Sequence, residues 1–284
     1  MVKIAGTVIL YKPDTGVLAN IYSYLDQIDK LYIIDNSDAA SEIIKKEFQY
    51  NKNVEYLANN RNLGIASALN LALVQAEKDG FEYLLTMDQD SYFEDKIIEK
   101  MVTRVLEDEK IGIVSARHHY PVGKKAAEKS PSIIDKLVAM TSGNIVKVKL
   151  LRSIGGYKDD LFVDYVDHEI CLRLNSLGYM VKILDDYKVI HSLGNVNVKR
   201  LLWKKIYPTN HSYIRHYYRT RNRFFVYKTY GKIFSDYRKI ELLNFIKDIL
   251  KIILLEDQKW KKLKFIFWGF SDFKNNVFGE CGRV

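Results

Sequence analysis

Within its first 115 residues the chain five times sets a short, β-rich apolar run against polar breaks and helically spaced segments. The runs at 4–10, 31–34, 54–57, the stretch up to Met87, and 111–115 read as strands. Between them, Val17, Ile21, Tyr24, Leu25 and Ile28 recur at helical spacing, as do Ala66, Leu69, Leu73 and Ala76. Residues 41–50 and about 95–106 read as two further helices. That rhythm predicts an α/β chain: a mostly parallel, doubly wound sheet with helices on both faces and right-handed crossovers. No Gly-x-Gly-x-x-Gly follows the first strand, which disfavours a dinucleotide-binding fold of the usual kind.

In such a sheet, ligands bind at the carboxyl ends of the strands. There the fourth run, Leu84-Leu85-Thr86-Met87, stops abruptly at Asp88-Gln89-Asp90-Ser91. Two carboxylates at the end of a buried strand are costly unless a cation sits on them. Oxygen donors of this type suit Mg²⁺ or Mn²⁺, which in turn suit a diphosphate. The competing reading is local: Asp90 or Ser91 caps the helix that follows. The second strand also ends in polar residues, Asp35-Asn36-Ser37, on the same predicted edge.

After residue 117 the rhythm changes. His118-His119 opens a stretch read as a basic loop running through Pro131, and adjacent residues rarely face one way, so the pair is read as a loop feature. Residues 139–147 read as a strand containing Thr141-Ser142-Gly143-Asn144, and 150–154 as a short helix ending at Gly155-Gly156. The densest acidic segment runs from Asp159 to Glu169. A helix is expected to start near Asp164, with Asp164 as its N-cap and Asp167 at its third position. Capping accounts for Asp164, but three acids within six residues, Asp164, Asp167 and Glu169, favour one raised pKa and a general base, assigned to Asp167. Two strands follow, at 180–184 and 188–190. The second leads into His191, whose imidazole can complete a metal shell begun by Asp90.

Charge divides the chain. Residues 199–284 hold 20 Lys and Arg against 7 Asp and Glu, whereas the first 198 hold 24 against 28. From Tyr207 onward the pattern is helical, aromatic and basic, with an apolar stripe at Ile240, Leu243, Ile246, Leu250, Ile253 and Leu254. Trp260, Leu263, Phe267 and Phe270 continue it among lysines. Such helices lie in a membrane interface, or pack on the catalytic domain or a second subunit, as in a homodimer. Nucleic acid is disfavoured, because no helix-turn-helix, zinc or stacking-sheet motif accompanies the net charge of +9. Two cysteines, Cys171 and Cys281, provide no disulfide framework and suit a reducing compartment. The amino terminus is too strand-like for a signal peptide, and no apolar run reaches membrane-spanning length. The expected domains are 1–205, holding the site, and 206–284, a helical extension.

Several ordered segments together resemble the family 2 glycosyltransferases, and within them the bacterial rhamnosyltransferase-like group. They are Asn60-Arg61-Asn62-Leu63-Gly64-Ile65-Ala66 with Asn70, Met87 to Ser91, Thr141 to Asn144, Gly155-Gly156-Tyr157, Leu161 to Arg173, His191 before Gly194, and Tyr217-Tyr218-Arg219-Thr220-Arg221-Asn222. The resemblance implies a Rossmann-like nucleotide-diphospho-sugar transferase domain of the GT-A type, dependent on Mg²⁺ or Mn²⁺. It implies that Asp35 meets the nucleotide base and that Arg61 and Gly64 line its pocket. Asp88 would contact ribose or metal-bound water, Asp90 the metal, and His191 the metal or diphosphate. Asp167 matches the catalytic base of an inverting, single-displacement transfer. His168 departs from the small or polar residue that relatives carry, and joins Asp164 and Glu169 as acceptor-side or helix-capping positions. The implied donor is dTDP-rhamnose, with a UDP-sugar as the alternative. The implied acceptor is a growing cell-surface glycan, lipid-linked in some settings, at the cytoplasmic face of the membrane. Two rivals remain: a nucleotidyltransferase, which lacks its glycine-rich phosphate loop here, and a non-catalytic nucleotide-sugar-binding assembly subunit.

Overall fold

The computed structural model describes residues 2–119, 133–191, 199–201, 204–206 and 211–283. They form two compact units: Met1–Asp159 with Val166–Ser192, and Asp160–Tyr165 with Leu193–Val284.

The first unit opens with β1 (Ile4–Leu10), α1 (Gly16–Leu25), β2 (Lys30–Asp35), α2 (Glu42–Phe48), β3 (Val54–Ala58), α3 (Gly64–Lys78) and β4 (Tyr83–Asp88). These strands pair in parallel in the order β3-β2-β1-β4. Every residue of β1 is buried, as expected of a strand covered on both faces. One face packs Val8, Leu10, Ile33, Leu85 and Met87 against Ile21 and Tyr24 of α1. The small residues Ala66, Ala68, Ala72 and Ala76 let α3 lie close on the sheet.

Beyond β4 the sheet becomes mixed. The elements are β5 (Ser91–Phe93), α4 (Ile98–Leu106), β6 (Ile111–His119), β7 (Ile133–Lys136), β8 (Asn144–Lys147), α5 (Val148–Ser153), α6 (Val166–Ser176) and β9 (Met180–His191). The order continues β4-β8-β6-β9-β5, and β8 runs antiparallel to both its neighbours. The strand expected from residue 139 shortens to β8, because Thr141 to Gly143 form a turn: Gly143 takes φ +73° and donates to the Thr86 carbonyl at 2.8 Å. The two strands expected after Gly178 are one, β9, with a register shift against β6 between Ala116 and Arg117. His118 and His119 close β6 rather than opening a loop. Residues 120–131 of the expected loop, Gly194 of the matched segment, and Tyr207 at the start of the basic tail lie outside the described residues.

The second unit has a short antiparallel ribbon, β10 (Lys199–Leu201) with β11 (Lys204–Ile206), and three helices, α7 (Tyr213–Tyr230), α8 (Ser235–Leu255) and α9 (Lys259–Lys274). Ser212 caps α7 by accepting from the Arg215 N–H. Phe224 packs against Phe245 of α8 and Phe270 and Phe273 of α9, with ring centroids 4.9–5.8 Å apart. Helix α8 turns Ile252 inward, and the sequence's apolar stripe faces outward. Among the described residues, no helix is long and apolar enough to cross a membrane.

Candidate active site

The site grows from the end of β4. Asp88 is its last residue, and its N–H donates to the Ser142 hydroxyl at 3.0 Å. The Thr86 hydroxyl donates to the Thr141 carbonyl, so the turn before β8 braces the strand end at two points. Gln89 clamps the other side: its amide oxygen accepts from the Tyr11 N–H at 2.8 Å, and its own carbonyl accepts from Asn20 at 2.8 Å. The chain then turns into β5, so Ser91 starts a strand. The alternative in which Asp90 or Ser91 caps the next helix falls, because that helix, α4, begins only at Ile98.

Antiparallel pairing of β5 with β9 sets Ser91 opposite His191, one hundred residues away in sequence. The Ser91 hydroxyl lies 2.8 Å from His191 Nδ1, and Asp90 Oδ1 lies 3.4 Å from the same nitrogen. Asp88, Asp90 and His191 each offer one donor atom, and the three lie within 4.8 Å of one another. Two carboxylates and an imidazole fit a divalent cation that completes its shell with phosphate oxygens. The surroundings are built for charge at this point. The Tyr24 phenol is pushed well above its usual value by burial and then by the charge of Asp88. His118 lies with its ring 6.1 Å from that of His191, and its pKa is pushed down to about 4 by burial and then by His191.

A second polar cluster lies at the end of β2. Asp35 is wholly buried; its Oδ1 accepts from the Ser37 N–H at 3.0 Å, and its Oδ2 from the Ser41 N–H at 2.9 Å and the Tyr56 hydroxyl. Burial alone would raise its pKa, but the bonds from Ser37, Tyr56 and Ser41 hold it below the usual carboxylate range. Asn36 shapes the neighbouring turn. Its amide nitrogen donates to Asn62 and to the Gly64 carbonyl, and its oxygen accepts from Asn59 and the Leu63 N–H. Gly64 starts α3 at φ +81°, which glycine alone adopts freely. Arg61 is exposed on that turn.

Asp167 occupies the second position of α6, not the third, because the helix starts at Val166. Its Oδ1 accepts from the His168 N–H at 2.8 Å. Asp164 is not an N-cap. It takes φ +61° in the second unit and pairs with Arg215 at 3.2 Å. Glu169 is buried and holds Arg173 at 2.8 Å, and Arg173 in turn donates to the carbonyls of Ile154 and Gly156. Asn70 ties this region to α3: its amide donates to the Tyr157 carbonyl and Asp159 at 2.7 Å each, and its oxygen accepts from the Tyr157 N–H. A Cβ at Gly156 would stand 2.4 Å from the Asn70 oxygen, so the close approach requires glycine.

A largely parallel sheet that ends in an Asp-x-Asp turn defines a class, the sugar-nucleotide transferases of the GT-A fold. Solved structures share that architecture. The chain is similar to S. aureus TarS 1-349 in complex with UDP-GlcNAc (TM-score 0.64, 14% identity, 97% of this chain and 81% of that one). It is also similar to GalNAc-T7 with UDP, GalNAc and Mn²⁺ (TM-score 0.63, 12% identity, 97% of this chain), and it spans about half, 56%, of that longer chain. The model of glycosyl transferase family 2 matches residues 15–166, and the chain belongs to that family. Among curated proteins it is 26% identical over 238 residues to the dTDP-rhamnosyl transferase RfbF of Shigella flexneri, covering 78% of this chain and 79% of that one. The chain is thus a family 2 glycosyltransferase, similar in sequence to a dTDP-rhamnosyl transferase.

Proposed function

We propose that this glycosyltransferase is inverting and metal-dependent, and that it moves rhamnose from dTDP-rhamnose to a hydroxyl of a growing cell-surface glycan in the cytoplasm. The observation that carries the reading is the convergence of Asp88, Asp90 and His191 at the end of β4. The relative named as a dTDP-rhamnosyl transferase supports the donor. Asp90 and His191 would hold the cation, Mg²⁺ or Mn²⁺, and Asp88 would contact the ribose or metal-bound water. When bound, the metal neutralises charge on the departing diphosphate. Asp35 faces the base of the nucleotide, and Arg61 and Gly64 border its pocket. Asp167 takes the proton from the acceptor hydroxyl as that oxygen attacks the anomeric carbon, and the carbon–diphosphate bond breaks on the opposite side. A single base suffices for one displacement, so the anomeric configuration inverts. Asp164, His168 and Glu169 shape the acceptor side.

The test begins with thermal stabilisation by dTDP and UDP, with Mn²⁺ or with chelator. A Mn²⁺-dependent shift with dTDP supports the donor, and a shift with UDP alone replaces it with a UDP-sugar, the ligand class in the TarS structure. Asp167→Asn is expected to keep the shift and abolish transfer from dTDP-rhamnose. Transfer that survives this change refutes the base assignment. A full shift without transfer in the unaltered chain, across glycan acceptors, would favour a non-catalytic assembly subunit.

A further inference from the structure

Helix α8 carries on its outer side an apolar surface that its own unit does not cover. Leu242, Leu243, Ile246, Leu250, Ile253 and Leu254 are 44–59% exposed. At 100° per residue they occupy an arc of about 120°, some 18 Å long. The helix is anchored from its other side, where Asp248 pairs with Arg219 and Arg223 at 3.2 Å and Phe245 meets Phe224. The outer face is thus no fraying or misplaced core.

The charges around the face point to its partner. Of the seven carboxylates in residues 199–284, Glu241, Asp248, Glu256 and Asp272 turn inward onto Tyr165 and Arg223, Arg219 and Arg223, Lys262, and Tyr217 and Arg283. Asp236 pairs with Lys239, and Asp257 and Glu280, off α8, are exposed. Lys247 and Lys251 border one edge of the aliphatic arc and are exposed. At the start of α9, Trp260 is 86% exposed between Lys259 and Lys261. An aliphatic ridge bordered by lysines, with one projecting indole and with the α8 carboxylates Glu241 and Asp248 turned inward, matches an anionic lipid surface: side chains enter the acyl boundary and ammonium groups meet headgroup phosphates. A two-fold contact through this face would bring Lys247 and Lys251 toward the same lysines of a second copy, while the α8 carboxylates nearest them, Glu241 and Asp248, are turned inward.

We propose that the outer face of α8, with Trp260, docks the protein on an anionic bilayer surface without crossing it. This docking is independent of the identity of the sugar donor, and its test uses no nucleotide.

The test is co-sedimentation of the full chain with vesicles of phosphatidylcholine alone, or with one-third phosphatidylglycerol, at about 0.1 M salt. Binding is expected only to the anionic vesicles, with a blue shift in tryptophan emission that Trp260→Phe removes. Each lysine near the surface is worth roughly a fivefold factor, so Lys247→Gln with Lys251→Gln weakens binding about 25-fold. Ile246→Ser with Leu250→Ser abolishes the emission shift while leaving the melting temperature unchanged, since both side chains are already solvent-facing. Equal binding to both vesicle types overturns the charge argument. No binding to either, with a dimer in sedimentation that Ile246→Ser and Leu250→Ser dissolve, overturns the proposal in favour of a second copy.

Discussion

Replacing Asn222 with alanine tests how the Asp160–Tyr165 segment is held. The side chain of Asn222 is wholly buried in α7. Its Nδ2 lies 2.8 Å from the carbonyls of Leu161 and Val163 and 2.9 Å from that of Asp164. Its Oδ1 accepts from Arg221 Nε at 3.0 Å. Two amide protons cannot fully serve three carbonyls, so two bonds are counted. After truncation the Leu161 carbonyl keeps Arg221 Nη2 at 3.1 Å. The carbonyls of Val163 and Asp164 and one guanidinium N–H lose their partner. At about 1 kcal/mol for each neutral bond and about 1.5 for the charged donor, with some water reaching Val163, the loss is about 3 kcal/mol. The segment is also strained, with φ +64°, +61° and +65° at Phe162, Asp164 and Tyr165, so nothing local restores it once released. A 3 kcal/mol loss lowers the melting temperature by roughly 6–12 °C, read by thermal melts followed by tryptophan emission. Asn222→Asp sharpens the test. It keeps an acceptor for Arg221 but offers no donor to the carbonyls, and it is expected to destabilise at least as much as alanine. A melting temperature within about 2 °C of wild type for Asn222→Ala, or a milder effect for Asn222→Asp, would refute the reasoning.

Three further outcomes are expected. Asp90→Asn should leave the fold's melting temperature without metal unchanged, since this carboxylate is 45% exposed, and should remove the Mn²⁺-dependent stabilisation by nucleoside diphosphate; retention of that shift would take Asp90 out of the metal shell. The Glu256 carboxyl is opposed by burial, but His216 at 3.6 Å and Lys262 at 2.8 Å push it down to about 2. A carboxylate lowered on folding contributes stability above its ordinary value of 4.5 and loses it as the pH falls toward 2. Glu256→Gln should therefore cost most at pH 6 and progressively less toward pH 3 in denaturant melts; a pH-independent difference would contradict it. Burial pushes the Cys171 thiol up to about 12, so in the folded protein it should resist maleimide at neutral pH and react once denaturant is added; labelling of Cys171 in the native state would show that its pocket opens.

The parallel half of the fold was legible because its information is local. β1, β2 and β4 are buried, largely apolar runs followed by a turn, β3 is a short β-rich run interrupted by Glu55, and each helix between them shows its buried stripe in sequence. The mixed half was not legible, because hydrophobicity carries no strand direction: Asn144 to Lys147 reads the same whether it runs with β4 or against it. The helix boundary at Val166 was misplaced by one residue for a similar reason. Asp164 has the composition of a cap, but its backbone takes a left-handed turn that only tertiary contacts sustain. The acids of the candidate site were visible as a motif. The pairing of Ser91 with His191 was not, since it depends on a register between strands one hundred residues apart.

The Arg221–Asn222 pair shows what a motif conceals. In sequence it stands only as part of the tyrosine-rich Arg-Asn segment. In the fold both side chains are wholly buried, and their donors are spent on backbone carbonyls: Gly279, Asp160 and Leu161 for Arg221, and Leu161, Val163 and Asp164 for Asn222. The guanidinium lies 5.1–5.4 Å from the ring centroids of Tyr217, Tyr218 and Phe278, which replace the water that would otherwise solvate its charge. Backbone carbonyls have no residue identity, so no spacing rule in the sequence points from position 222 to position 163. The segment they grip ends at Tyr165, and the next peptide bond starts the helix that carries Asp167. A tyrosine-rich Arg-Asn segment more than fifty residues downstream therefore fixes the left-handed backbone of Phe162, Asp164 and Tyr165. Its chemistry is directed at the backbone rather than at a ligand, and for that reason lysine at 221 or aspartate at 222, conservative for a phosphate site, are disruptive here.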